Sequence, residues 1–239
     1  DLNHMNISNA LNEADNVSLN LEKEIPELVK ETMSVLENAG YEAYIVGGCV
    51  RDILMSRIPK DWDITTNASP TQIAPLFVKT IVEEKFGTVS VIHETVSDET
   101  LKVIQITPFR KESSYIDGRH PENVTFVSNI QEDLSRRDFT INALAYRKGL
   151  LIDLFHGKQD IESKVIRCVG NPDERFNEDG LRILRAIRFS CQLGFMINMD
   201  VYDSILKNKN ILDKISRERI RDEFIKIIMS PNPSQGLFI

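Results

Sequence analysis

The sequence predicts an α+β protein, a small mixed sheet with helices on one face followed by an all-α extension. Three observations predict it. Short apolar runs with a period of two occupy 42–46, 61–66, 88–93 and 101–107. Glycines and prolines punctuate these runs, and from Pro172 onward nearly every apolar residue recurs at helical spacing.

Residues 1–20 are polar and asparagine-rich, and position 1 is not methionine, so they read as a mobile or processed leader. A helix is expected over 21–39, stopped by Gly40 as a left-handed cap. Strand 42–46 breaks at Gly47-Gly48, helix 49–56 follows, and strand 61–66 comes next. Ser69-Pro70 begins a short helix, a cap followed by an N1 proline. Runs 88–93 and 101–107 are further strands, and 151–154 is a last one after a helix bearing Asn142-Ala143-Leu144. Between them, 111–123 (KESSYIDGRHPEN) reads as a long exposed loop. The organisation expected is therefore a leader at 1–20, a mixed domain at 21–165 and a helical part at 166–239.

The 239 residues carry a net charge of −7, which argues against a simple nucleic-acid binder. The charge is uneven. From Val165 onward there are 12 Lys+Arg against 10 Asp+Glu, leaving 17 against 26 before it. Either this is drift in surface charge, or an acidic metal-binding half precedes a nucleotide- and RNA-facing one. Cys49, Cys168 and Cys191 form no CxxC pair, which points to a reducing compartment without structural zinc, so the protein is expected to be cytoplasmic or the mature form of an organellar one. Cys49 is either a small residue tolerated at a tight turn or a thiol made acidic by a helix start. No apolar run approaches membrane-spanning length, so no membrane partner is expected. His93, His120 and His156 show no metal-ligand spacing.

The chemistry concentrates around Asp61 and Asp63. With Trp62 and Ile64 alternating in a strand, both carboxylates share one face, a hard-oxygen site for Mg²⁺. Gly47 and Gly48 lie upstream at a strand-to-helix turn, where backbone N–H groups can hold a phosphate. A phosphate cradle beside a metal-binding carboxylate pair suits nucleotidyl transfer, which is mainly positioning and charge neutralisation. Arg51 and Asp52, next along the chain, either orient phosphate or primer or form a surface ion pair.

The stretch GGCVRDILMSRIPKDWDITTNASP, followed in order by RRDFTINALAY, NEDGLRILRAIRF and SRERIRDEFIKII, resembles the class II tRNA nucleotidyltransferases and bacterial poly(A) polymerases. The resemblance covers roughly 22–239. It implies a polymerase β-like nucleotidyltransferase head and an all-α neck, with Asp61 and Asp63 as catalytic metal ligands. It also implies that Arg137, Asp138 and Asn142 contact the ribose and triphosphate, although Asp138 is equally suited to capping a local helix. The loop at 111–123 matches a family loop that helps the site change nucleotide. In the family strand the position of Gln105 carries a third metal-binding carboxylate. Three explanations stay open: a natural variant using two carboxylates, a deliberate near-isosteric substitution, or a register displaced by two residues.

A helix beginning Asn177-Glu178-Asp179 would carry Arg182, Arg185 and Arg188 at a spacing of three, with Asp179 and Arg182 adjacent. One reading is an i,i+3 ion pair. The other is base selection: a carboxylate accepts from an exocyclic amine and an arginine donates to a ring nitrogen, an edge offered by cytosine and adenine but not by uracil or guanine. Glu178, Asp179 and Arg182 match the family's E-D-x-x-R motif, and Arg185 joins them as a candidate. The resemblance implies a template-independent, Mg²⁺-dependent enzyme that adds C and A from CTP and ATP to tRNA 3′ ends. Poly(A) synthesis, CC-only or A-only addition, or a catalytically weak nucleotide-binding module are the alternatives. The family continues into further helical domains, so the chain reads as a head and neck belonging to a longer protein. Oligomeric state is not legible.

Overall fold

A computed structural model describes residues 21–83, 86–112, 124–127 and 129–239. In chain order the elements are α1 (Glu27–Asn38), β1 (Ala43–Val46), α2 (Gly48–Leu54), β2 (Trp62–Thr66), α3 (Pro70–Ile73), β3 (Thr80–Glu83), β4 (Thr88–Ile92) and β5 (Val103–Pro108). They continue as β6 (Arg110–Glu112), β7 (Val124–Phe126), α4 (Ile130–Ser135), β8 (Leu144–Arg147), β9 (Leu150–Asp153), α5 (Gly157–Glu162) and β10 (Val165–Ile166). The last part holds α6 (Pro172–Glu178), α7 (Leu181–Leu193), β11 (Met196–Ile197), α8 (Met199–Asn208), α9 (Arg217–Ile228) and α10 (Pro233–Leu237). The expected leader at 1–20 and most of the loop at 111–123 lie outside the described residues.

The chain divides into two compact units. One takes the described residues through Phe109 with 126–130 and 144–153; the other takes 110–125, 131–143 and 154–239. The division is interleaved along the chain and does not fall at one point.

The first unit is built on a seven-stranded sheet in the order β3-β4-β5-β2-β1-β8-β9. Only β2 and β5 run parallel; every other neighbouring pair is antiparallel. On β4 and β5, Val89, Val91, Ile104 and Ile106 are buried while Val103 and Gln105 are exposed, so strict alternation separates a core face from an open face. All four residues of β1 are buried, as expected of a strand at the sheet's interior. α3 starts at Ser69 with a capping box closed by Gln72, as the Ser-Pro signal predicts.

Three expectations are corrected. The helix expected over 21–39 is interrupted at Ile25-Pro26 and restarts at Glu27, because proline lacks an N–H and disfavours helical geometry in the residue before it. Gly40 keeps its role, with φ +90°. The helix expected at 142–144 is a single 3₁₀ turn over Thr140–Asn142, after which Leu144–Arg147 joins the sheet between β1 and β9. The helix expected from Asn177 is two helices, broken at Asp179-Gly180. Strands β3, β6, β7, β8, β10 and β11 were not expected.

The second unit is mainly helical. Its RRDFT segment is fastened from outside: Thr140 Oγ1 donates to buried Asp160 at 2.6 Å, and Thr140 N–H donates to the carbonyl of Arg167 at 2.9 Å. Phe139 meets Phe189 of α7 edge-on, with ring centroids 5.8 Å apart.

Ile106 lies in the strand next to β2 and is fully buried. Ile106→Ala should cost about 2–5 kcal/mol through lost apolar contact and a residual cavity. Urea unfolding checks this, with a lowered midpoint and an unchanged slope expected.

Candidate functional site

In the first unit, the candidate residues gather where β1 ends and β2 begins. Gly47 has φ +80° and ψ −130°, a conformation costly for any side chain, and its N–H donates to the carbonyl of Leu144 at 2.9 Å. A Cβ on Gly48 would sit 3.5 Å from Nη2 of Arg51, so the guanidinium folds back over the glycine turn. Arg51 is buried and donates through Nε and Nη2 to Asp52 Oδ1, at 2.9 and 2.7 Å. The Arg51–Asp52 ion pair that the sequence left open therefore forms, but largely sheltered from solvent and not at the surface.

Cys49, one residue past the glycines, places Sγ 3.4 Å from the Val46 carbonyl and 3.9 Å from that of Asp63. Burial, aided by the Asp63 charge, pushes its thiol up to about 12. The acidic-thiol alternative falls, and Cys49 is a small residue filling a tight turn. All three cysteines are unbridged and buried.

Asp61 is exposed just before β2, and Asp63 is half-buried within it. The parallel register sets Asp63 beside Gln105, so the two share the open face. Ser90 flanks Gln105 on the other side. Among the described residues no three His, Cys, Asp or Glu side chains form a metal-binding group. Asp63 and Gln105 on the open face, with Asp61 just before the strand, offer two carboxylates and one amide, all hard oxygen donors.

In the second unit, acidic and arginine side chains alternate. Asp133 is buried against Arg136 at 2.9 Å and Arg137 at 3.4 Å; burial raises its pKa, but the two guanidinium groups outweigh that and lower it. Asp138 Oδ1 accepts from the Phe139 N–H at 2.8 Å and from Asn142 Nδ2 at 3.4 Å, while Oδ2 takes Nε and Nη2 of Arg185 at 2.7 and 2.6 Å. Burial opposes ionisation of Asp138, yet Arg185 and Arg182 overcome it and hold the carboxyl at about 2. Asp138 is thus an ion-pair partner, not the cap of a helix.

The expected Asp179–Arg182 ion pair does not form. Asp179 is extended, with φ −144° and ψ 106°, and pairs with Arg219 of α9. Arg182 pairs instead with Glu178, and it donates to the carbonyls of Arg175 and Arg136 at 3.2 Å each. Arg185 and Arg188 both lie over the ring of Phe189, with centroid distances of 5.3 and 4.5 Å, and Arg188 reaches buried Glu223 at 3.1 Å. Sequence reading missed the pairings of Glu223 and Arg219. Both lie in the SRERIRDEFIKII motif, but no spacing rule connects them to Arg188 and Asp179.

A mixed sheet bearing a strand-end Asp-x-Asp beside a glycine turn, followed by a helical part, defines a nucleotidyltransferase head fold. The chain belongs to the family described as the poly(A) polymerase head domain, whose model matches residues 43–167. Residues 194–238 match a second model, described as the probable RNA and SrmB-binding site of polymerase A. The CCA-adding enzyme of Ligilactobacillus salivarius is 46% identical over 218 residues, 89% of this chain and 52% of that protein. The CCA-adding enzyme of Lactobacillus johnsonii is 48% identical over 220 residues, 90% of this chain and 54% of that protein. Among solved structures, the Bacillus stearothermophilus CCA-adding enzyme in complex with CTP superposes with a TM-score of 0.79 at 39% identity, covering 89% of this chain and 51% of that one. The Thermotoga maritima CCA-adding enzyme complexed with tRNA-CCA gives 0.76 at 28%, covering 92% and 52%. The chain spans about half the length of these relatives. Among the described residues no helix is long and apolar enough to cross a membrane.

The Asp138 carboxyl titrates well below its unfolded value, so its contribution to stability is present above about pH 4 and is lost as pH falls toward 2. Asp138→Asn should flatten the acid limb of the stability curve across that window by close to one proton of linkage. Urea unfolding at a series of pH values measures it.

Proposed function

We propose that this chain is the nucleotidyltransferase portion of an enzyme that adds C and A, from CTP and ATP, to tRNA 3′ ends without a nucleic-acid template. The observation that carries the reading is the register of β2 and β5 next to the glycine turn, which aligns Asp63 with Gln105 on an open face, in a chain similar to CCA-adding enzymes. Three buried, unbridged cysteines suit a reducing, cytoplasmic setting.

In the first unit, Asp61 and Asp63 would hold divalent cations, with Mg²⁺ the ion expected for an all-oxygen donor set, and the amide oxygen of Gln105, the register neighbour of Asp63, would assist. Bound there, such ions neutralise a phosphoryl group and make a hydroxyl nucleophile more acidic. Gly47 and Gly48 let the backbone approach a phosphate closely, and Arg51, folded over the turn, adds positive charge. Asp52 fixes the Arg51 guanidinium in one plane.

In the second unit, Arg137, Asp138 and Asn142 are assigned to the ribose and triphosphate, and Asp179 with Arg182 to the base edge. Asp179 and Arg182 are each held by a different partner, so neither has to leave the other to meet a base. Asp179 accepts from the exocyclic amine of cytosine or adenine, and Arg182 donates to the neighbouring ring nitrogen. Uracil and guanine would set a carbonyl against the carboxylate and an N–H against the guanidinium, and both contacts would be lost. Glu178 orients Arg182, and Arg185 holds Asp138.

Incubating a tRNA transcript that lacks its 3′ terminus with CTP alone, ATP alone and both tests the reading. Two additions with CTP and a third only when ATP joins it are expected. A long adenosine tail would mark poly(A) synthesis, and nucleotide binding without transfer would mark a binding module. Asp63→Ala should lower transfer at least about 100-fold while the urea midpoint stays near wild type, since a half-exposed ligand contributes little to the core. Gln105→Glu should restore a negative charge beside Asp63 and lower the Mg²⁺ concentration giving half-maximal transfer. Superimposable Mg²⁺ titrations would place Gln105 outside the metal site.

A further inference from the structure

β3 lies at one end of the seven-stranded sheet, paired with β4 on one side and, among the described residues, with no strand on the other. The Lys79 carbonyl accepts from the Ile92 N–H at 3.0 Å and the Glu83 carbonyl from the Gly87 N–H at 2.8 Å, so Lys79, Ile81 and Glu83 turn their backbone groups toward β4. By the alternation of an antiparallel ladder, Thr80 and Val82 turn theirs outward, two N–H and two C=O groups along one edge. Edge strands of soluble proteins are usually guarded by charge, proline or a bulge. β3 holds no proline or glycine, and its centre is apolar, with Ile81 61% and Val82 40% exposed. Charge stands only at its ends, on Lys79 just before the strand and on Glu83 at its last position.

Those end charges are complementary to a second copy of the same strand. In antiparallel pairing about a twofold axis at Ile81, Thr80 meets Val82 of the copy and the outward groups of both strands are all bonded. Ile81 meets its own counterpart, and Lys79 meets Glu83. These last contacts fall at non-hydrogen-bonded positions, where Cα atoms approach to about 4.5 Å and side chains are closest, so ammonium and carboxylate can pair. Moving the axis to Thr80 or Val82 would set Lys79 or Glu83 against Ile81, and moving it to Lys79 or Glu83 would set like charges face to face. Lys79 is paired with Glu94 yet remains half exposed, which leaves its ammonium open to a second carboxylate.

We propose that β3 is a self-association edge, through which two copies of this chain join in antiparallel register centred on Ile81 to make one continuous sheet. A twofold contact of this kind closes on itself, whereas joining β3 to the opposite edge, β9, would propagate without end. Ile81, Ser90, Gln105 and Asp63 form one register row across the open face. The dimer therefore carries both copies of Asp63 on the same side of the sheet, roughly 34 Å apart at the usual strand spacing. This inference does not depend on the proposed function.

Sedimentation velocity of the 239-residue chain over a concentration series tests it. The contact is smaller than a standard protein interface, so a reversible dimer with Kd on the order of 10–100 µM is expected. Val82→Pro removes an outward N–H and no bond to β4, so the monomer should stay folded and the dimer should be lost. Lys79→Glu and Glu83→Lys each turn two symmetry-related attractions into repulsions and should each raise Kd about tenfold. The Lys79→Glu/Glu83→Lys double variant exchanges the charges and should return Kd to within about threefold of wild type. Circular dichroism and the urea midpoint check the fold of each variant. Should Val82→Pro not fold, Ile81→Lys, which sets two ammonium groups face to face at the axis, is read in the same way. A wild type that stays monomeric up to about 1 mM would overturn the inference. So would a dimer that Val82→Pro or Ile81→Lys leaves intact, single charge swaps that the double variant does not rescue, or association that grows past the dimer.

Discussion

An arginine taken out of water must be met by a carboxylate or a carbonyl, and the helical unit is organised around that requirement. Arg182 and Arg188 are buried on α7, and Arg185 packs beside them. Their partners, Glu178, Asp138 and Glu223, come from three separate segments. The charges therefore act as fasteners: the RRD segment, the end of α6 and the helix α9 are each tied to α7 by an ion pair with limited solvent access. Losing one partner of such a pair leaves an uncompensated charge, which costs far more than the intact pair contributes to stability.

The sheet solves a different problem. A parallel pair, β2 with β5, sits inside an otherwise antiparallel sheet, and its register alone decides which side chain stands next to Asp63. A slip of one residue would put Ile104 or Ile106 on the open face and turn Gln105 into the core. The apolar alternation of β5 excludes that slip, so the neighbour of Asp63 is fixed by burial as much as by hydrogen bonding.

Where local chemistry decides structure, the sequence was legible. Period-two alternation located β2, β4 and β5, the glycine pair located the turn before α2, and Ser69-Pro70 located α3. It was not legible where a distant segment decides. Asn142-Ala143-Leu144 has good helix formers after it, yet pairing with β1 and β9 makes 144–147 a strand. The chain from Asn177 to Arg188 reads as one amphipathic helix, but Ile211 and Ile215 close on Gly180 and Arg219 draws Asp179 outward, so the helix breaks. For the same reason Arg182 takes Glu178 four residues back, not Asp179 three residues back. The pairing of neighbours Arg51 and Asp52 could be named from the sequence, whereas the distant partners of Asp179, Asp138 and Arg188 could not.

In the proposed function a carboxylate and an arginine, held by separate partners, read the base edge without a template. A crystal structure of this chain with CTP or ATP bound tests it most directly. The account predicts the exocyclic amine within about 3.2 Å of an Asp179 oxygen and a ring nitrogen within the same distance of the Arg182 guanidinium. A base seated away from both side chains, or held only by stacking, would contradict it.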